Sequence, residues 1–263
     1  MPYARRDGLS LFYEQEGRAE PPLLFVHVWC CDHTFFQPQF DHFKSSHSVT
    51  TLDLRGSGNS DRPSDGYDLP TLADDVAWFC DELGISKPIV VGHSLGGMIA
   101  IELAARHPRV PLALVAVDPG PITPLPEALS FFEGFAAELE GPDGEAVRRG
   151  YVEDLFLSTD DGDRKRRIVE IMCEVPLTVA AAVIDGVVRW NGSAALALCK
   201  VPLLVLRAET GGSNDPARLR PLKPDLHYGV TVGAGHFHQL EVPEQVTPMM
   251  ERFLQVAIAE SRV

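Results

Sequence analysis

The sequence predicts an α/β fold: a mainly parallel, doubly wound sheet interrupted by a helical insertion. Three observations carry this. Short apolar runs, too brief for helices, alternate with helical patterns of roughly 10 to 15 residues, the rhythm of crossover units with helices on both sheet faces. The rhythm breaks between about Pro119 and Cys199, where apolar residues keep helical spacing and strand-like runs vanish, and it then resumes. The chain of 263 residues is 45% hydrophobic and 23% charged, a globular composition that can bury a core without disulfides or metals.

In chain order, Ser10-Leu11-Phe12-Tyr13-Glu14 reads as a strand, and Pro21-Pro22 opens a second apolar run from Leu23 to His27. A third, β-branched run from Val49 to Asp53 ends at Arg55-Gly56-Ser57-Gly58. Leu72 to Leu83 has helical spacing and stops at Gly84, and Pro88 to Gly92 is a fourth strand. Leu95 to Arg106 is a helix that His107-Pro108 prevents from continuing, followed by a strand from Leu112 to Val117. After the insertion, assigned to residues 121–200, strands at Val201 to Leu206 and Tyr228 to Val232 lead to a closing helix from Pro243 to Ala259. The sheet domain is therefore expected from residues 1–120 and 201–263.

Charge narrows the function classes. Lys plus Arg is 23 against Asp plus Glu 37, a net charge of -14, which disfavours nonspecific binding to nucleic acid or to an anionic membrane and favours a small neutral substrate. Cys30, Cys31, Cys80, Cys173 and Cys199 are odd in number and contain no C-x-x-C pair, so they read as reduced thiols and not as a disulfide framework or a zinc cage. The N-terminal Met1-Pro2-Tyr3-Ala4-Arg5-Arg6 leads into polar residues without the apolar stretch of a signal peptide, and no apolar run reaches about 18 residues. A cytoplasmic location is the expectation.

The strongest chemical signal is Gly92-His93-Ser94-Leu95-Gly96, a G-x-S-x-G pattern between a strand and a helix. A nucleophilic serine at such a site sits on a tight turn that flanking glycines make possible, with helix N-terminal amides behind it. A serine hydroxyl is a poor nucleophile near neutral pH and needs a base that later acts as an acid, which is the chemical case for a histidine. Of nine histidines, His236 follows a strand near the C-terminus in a Gly-x-Gly-His turn, with His238 as its competitor.

With these motifs the chain resembles the α/β-hydrolase family nearly end to end. Phe25-Val26-His27-Val28-Trp29 is similar to the family's strand ending in a His-Gly dipeptide, Asp53 to Ser60 to its D-x-R-G-x-G-x-S loop, and Gly233-Ala234-Gly235-His236-Phe237 to the loop of the catalytic histidine. The resemblance implies an α/β-hydrolase fold with a helical cap and an oxyanion hole from the amides of Trp29 and Leu95. One departure is visible: Val28 stands where glycine is usual, restricting a backbone that glycine would leave free.

The triad acid stays open at this level. The commoner family position holds Gly211, which cannot orient an imidazole, leaving Asp118 after the strand that ends at Val117, Glu209 after the later strand, and Asp215. Haloalkane dehalogenases and fungal zearalenone lactonases place the acid after the earlier strand. So do cofactor-free dioxygenases that open N-heteroaromatic rings, whose W-C-x-D-H stretch resembles Trp29-Cys30-Cys31-Asp32-His33. Val28, His33 and Trp190 are expected to wall the substrate pocket, with some of the insert's aromatics, Phe131, Phe132, Phe135, Tyr151 and Phe156, above Ser94. No P-loop and no dinucleotide fingerprint is present. The expectation is a cofactor-free, metal-free ester or lactone hydrolase built on Ser94, His236 and Asp118. A dioxygenase and a non-enzymatic ligand receptor are the alternatives.

Overall fold

The structure, a computed structural model, describes residues 2–209 and 214–260. Strands β1 (Tyr3–Arg6) and β2 (Leu9–Glu16) form an antiparallel hairpin, and β2 runs antiparallel to β4 (Val49–Leu52). From there the sheet is parallel: β3 (Leu23–Val26), β5 (Ile89–His93), β6 (Ala113–Val117), β7 (Leu203–Arg207) and β8 (His227–Val230), in the order β1-β2-β4-β3-β5-β6-β7-β8. The sequence expectation treated the first strand as single. Asp7 and Gly8, at φ 48° and 84°, are the pair that turns the chain back, as an Asp-Gly hairpin turn with positive φ at both central residues does.

Alternation along the strands builds two cores. Leu23 and Phe25 face one side with Ile89, Val91 and Val115, packed by α1 (Gln37–Phe43) and α11 (Pro243–Glu260) through Phe40, Val246 and Phe253. Leu24, Val26 and Val90 face the other side, packed by α2 (Leu69–Glu82) and α3 (Leu95–Arg106) through Leu72, Ile99 and Leu103. The period of two in a strand places neighbours on opposite faces, so both faces are buried, as a parallel sheet requires.

Between β6 and β7 lie α4 (Pro126–Leu139), α5 (Gly144–Glu153), α6 (Gly162–Glu174), α7 (Leu177–Arg189) and α8 (Gly192–Leu198). Helix α4 packs on α7 and α5, α5 on α6, and α8 on α3. Two short helices, α9 (Pro216–Leu219) and α10 (His238–Glu241), complete the chain. A fully buried Arg148 pins α5 to the end of α6: its guanidinium donates to the carbonyls of Val175 and Cys173 and pairs with Glu145. Each carbonyl orphaned in a dry interior costs about 1–3 kcal/mol. Arg148→Met should therefore lower the unfolding free energy by at least about 2 kcal/mol in urea titrations, and an unchanged midpoint would show the clamp to be dispensable.

Candidate active site

The parallel strands end along one edge, where α/β sheets collect reactive groups. Ser94 follows β5 at φ 51° and ψ -110°, just before the first turn of α3. The local sequence permits this contortion: a Cβ on Gly92 would lie 2.1 Å from the Gly96 carbonyl oxygen, and a Cβ on Gly96 would lie 2.1 Å from the Val26 carbonyl oxygen. Only glycines fit a helix start that close to two strands. The Ser94 amide is held by the Val117 carbonyl at 2.9 Å. Ser94 borders a cavity of about 290 Å³ that is also lined by Val28, Trp29, Leu95, Asp118 and His236.

His236 Nδ1 donates to Asp118 Oδ2 at 2.6 Å, which leaves Nε2 as the ring's acceptor. Asp118 directly follows β6 at φ 36°, and its second oxygen accepts from the Ala208 amide at 3.1 Å. Burial raises the Asp118 carboxyl, but the hydrogen bond and charge of His236 outweigh it and hold the acid below its ordinary range. Such an acid fixes the tautomer of its histidine and stabilises the imidazolium once a proton arrives.

Two further amides complete the arrangement. His27 Nε2 accepts from the Leu54 amide at 2.9 Å, so its proton sits on Nδ1 and is donated to the Val28 carbonyl at 2.7 Å. Burial lowers the His27 pKa, which keeps the ring neutral. The Val28 carbonyl and the Trp29 N–H belong to one planar trans peptide and point in opposite directions. Anchoring the oxygen therefore aims the Trp29 amide, and among the described residues neither it nor the Leu95 amide has an acceptor. The pair can receive an oxyanion.

Several sequence expectations are corrected. His33 is absent from the cavity lining: its Nδ1 and backbone amide are both spent on Asp53 Oδ1, at 2.8 and 2.6 Å, because the buried Asp53 organises the loop from Asp53 to Ser60. Trp190 is also displaced, its indole donating at 2.8 Å to Glu102 on α3. Val28 does line the cavity. Glu209 Oε2 accepts from the Gly233 amide at 2.7 Å, and Asp215 caps α9, so neither meets His236. Gly211 lies outside the described residues. His238 is buried against Thr231, with its pKa lowered by burial to about 4. No cluster of metal-ligating side chains occurs among the described residues.

Sequence reasoning missed His93, the variable residue of the pentapeptide. Its Nε2 donates to the His236 carbonyl at 2.8 Å while Nδ1 pairs with the Gln239 amide at 3.0 Å, so the serine's own neighbour clamps the base loop. Of the aromatics expected above Ser94, Phe132 and Tyr151 line the cavity, the Tyr151 phenol pushed up to about 12 by burial, whereas Phe131, Phe135 and Phe156 do not. Arg207 was missed: its place at a strand end was readable, but its inward direction depends on tertiary packing.

The sequence model for the alpha/beta hydrolase fold matches residues 21–243, and the chain belongs to that family. It is 26% identical to 2-(acetamidomethylene)succinate hydrolase of Mesorhizobium japonicum over 91% of this chain and 90% of that protein. A solved N-acyl homoserine lactone degrading enzyme superposes with a TM-score of 0.81 at 26% identity, covering 96% of this chain and 100% of the other. Identity rises to 41% over 100 residues of an AB hydrolase superfamily protein of Bacillus subtilis, a stretch that is 38% of this chain and only 37% of that relative's length. No single helix among the described residues is long and apolar enough to cross a membrane.

Burial lowers the His33 pKa, yet the hydrogen bond and charge of Asp53 overcome this and raise it above 6.5. A raised folded pKa gives stability that is complete below the unfolded value and lost as pH rises through the folded one. Unfolding free energy should thus decline as pH climbs from 6.5 toward alkaline values, and His33→Asn should flatten that decline; equal slopes in the two proteins would remove His33 from the account.

Proposed function

We propose that this chain is a serine hydrolase cleaving a carboxylic ester or lactone of a small, largely apolar substrate through an acyl-enzyme. The observation that carries the reading is the Asp118 to His236 hydrogen bond beside a strained Ser94 on one cavity. In this mechanism the Ser94 hydroxyl adds to the substrate carbonyl as His236 Nε2 takes its proton. The Trp29 and Leu95 amides hold the resulting oxyanion. Collapse expels the alcohol, which takes the proton from His236, and a water activated by the same ring then releases the acid. In a lactone the alcohol stays tethered to the acyl group.

Residues 121–200 serve as a cap over this site, contributing Phe132, Tyr151, Leu155, Met172 and Val183 to the cavity wall. A volume of about 290 Å³ is at the lower end of small-molecule sites, about 300–1,000 Å³, which favours short acyl groups. The hydrolase and lactone-degrading relatives support hydrolysis of such a bond. The dioxygenase reading shares the Asp118 position but is less favoured, because His33 of the Trp29-Cys30-Cys31-Asp32-His33 stretch is bound to Asp53 and does not line the cavity.

Ser94→Ala and His236→Ala should each lower kcat on 4-nitrophenyl esters by at least about 10³-fold in a folded protein, and a fluorophosphonate should label Ser94 alone. Near-normal turnover by folded Ser94→Ala sinks the proposal, as does stoichiometric dioxygen uptake during turnover.

The choice of acid is tested separately. Asp118→Asn should lose roughly 10⁴ in kcat, since the amide fixes the wrong tautomer, whereas Glu209→Gln should stay within about threefold of wild type, its carboxylate being exposed and serving a loop amide. The opposite ranking would assign the role to Glu209.

A further inference from the structure

The side chain the mechanism leaves unexplained is Arg207. It stands at the end of β7, between the strand that carries Asp118 and the strand that leads to His236, and it lines the same cavity as Ser94. Its guanidinium is fixed from behind: Nε donates to the Ala208 carbonyl and Nη2 to the Glu209 carbonyl, both at 3.1 Å. Two of five N–H donors are thereby used, and among the described residues no carboxylate lies within salt-bridge distance. Of the acids on the lining, Asp118 is committed to His236 and Ala208, and Asp154 is exposed to solvent.

Arg207 is half-buried and borders a cavity whose wall includes Val28, Leu95 and Met98, so that wall holds a cation that no carboxylate among the described residues neutralises. Its rigid fork matches a carboxylate in two parallel hydrogen bonds. We propose that Arg207 determines specificity by binding a carboxylate of the substrate, so that the preferred ester or lactone carries an acid group away from the bond that breaks. This rests on the hydrolase reading above. It also revises the expectation of a neutral substrate: the net charge of -14 repels anions at long range, and a fixed cation in the cavity selects them at contact.

Position supports the same conclusion. Ala208, the next residue, holds Asp118 through its amide, so a substrate anchored on Arg207 is brought up to the Asp118 and His236 pair. A merely structural Arg207, stapling the turn after β7, would affect all substrates alike.

The test compares 4-nitrophenyl butyrate with mono-4-nitrophenyl glutarate, which adds a terminal carboxylate to a similar acyl chain. Wild-type kcat/KM should favour the acidic ester by at least about tenfold, the worth of a hydrogen bond to a charged group. Arg207→Met should erase that ratio chiefly through KM, Arg207→Lys should retain part of it, and Arg207→Glu should invert it. Calorimetric binding of both intact esters to Ser94→Ala, with and without Arg207→Met, gives the same comparison without turnover. If wild type cleaves both esters with no preference, or Arg207→Met leaves the ratio unchanged, the assignment to Arg207 is overturned while the hydrolase reading stands. If neither ester is cleaved but binding still discriminates through Arg207, the hydrolase reading fails and the carboxylate site stands. Equal binding of the two esters overturns it in every case.

Discussion

The site depends on how closely one helix start approaches two strand ends. At Gly92 and Gly96 a single added carbon would fall 2.1 Å from a carbonyl oxygen, so the first turn of α3 lies against β3 and β5 with backbone touching backbone. That contact forces Ser94 to φ 51°, a conformation that costs a non-glycine residue of order 1–3 kcal/mol and persists only when its surroundings over-determine it. The strands, both hydrophobic cores and the Val117 carbonyl supply that determination. The strain is concentrated at the hydroxyl-bearing residue because the sheet around it is rigid enough to hold it there.

Histidines do much of the positioning, in states set by their surroundings. His27 and His93 are buried and kept neutral by desolvation, and each uses both ring nitrogens in fixed roles, one accepting and one donating to a backbone carbonyl. One aims the amide of Trp29, the other clamps the loop of His236. His33 sits in a wetter, acid-lined corner where Asp53 favours its charged form. The same side chain thus serves as a neutral strut in two places, while in a third Asp53 shifts it toward the charged form, and local burial and charge separate these uses.

The fold was legible because its elements are punctuated locally. Proline and glycine bounded the strands, and the loss of strand-like runs after Pro119 marked the helices that the structure shows between β6 and β7. Ser94 and His236 could be picked out because their backbone surroundings, a glycine-flanked turn and a Gly-x-Gly-His loop, are written in adjacent residues. The pairing of Asp118 with His236 was less legible: 118 positions separate them, and three carboxylates satisfied the same local pattern until distance separated them. His33 and Trp190 misled for the converse reason. Their chemistry suits a pocket wall, but Asp53 and Glu102, partners distant in sequence, engage them first.

Two tethers join the inserted helices to the reacting loops. The Ala180 carbonyl holds the Trp29 indole at 3.0 Å, and the Leu155 carbonyl holds the His236 amide at 3.3 Å. The donor loop and the base loop therefore share their support with the wall of the cavity: the segment that supplies Tyr151, Leu155 and Val183 to the lining also carries the two carbonyls that hold Trp29 and His236. The shape of the cavity and the alignment of the reacting groups are set by one set of contacts, so a substitution that reshapes the wall near Leu155 or Ala180 bears on both.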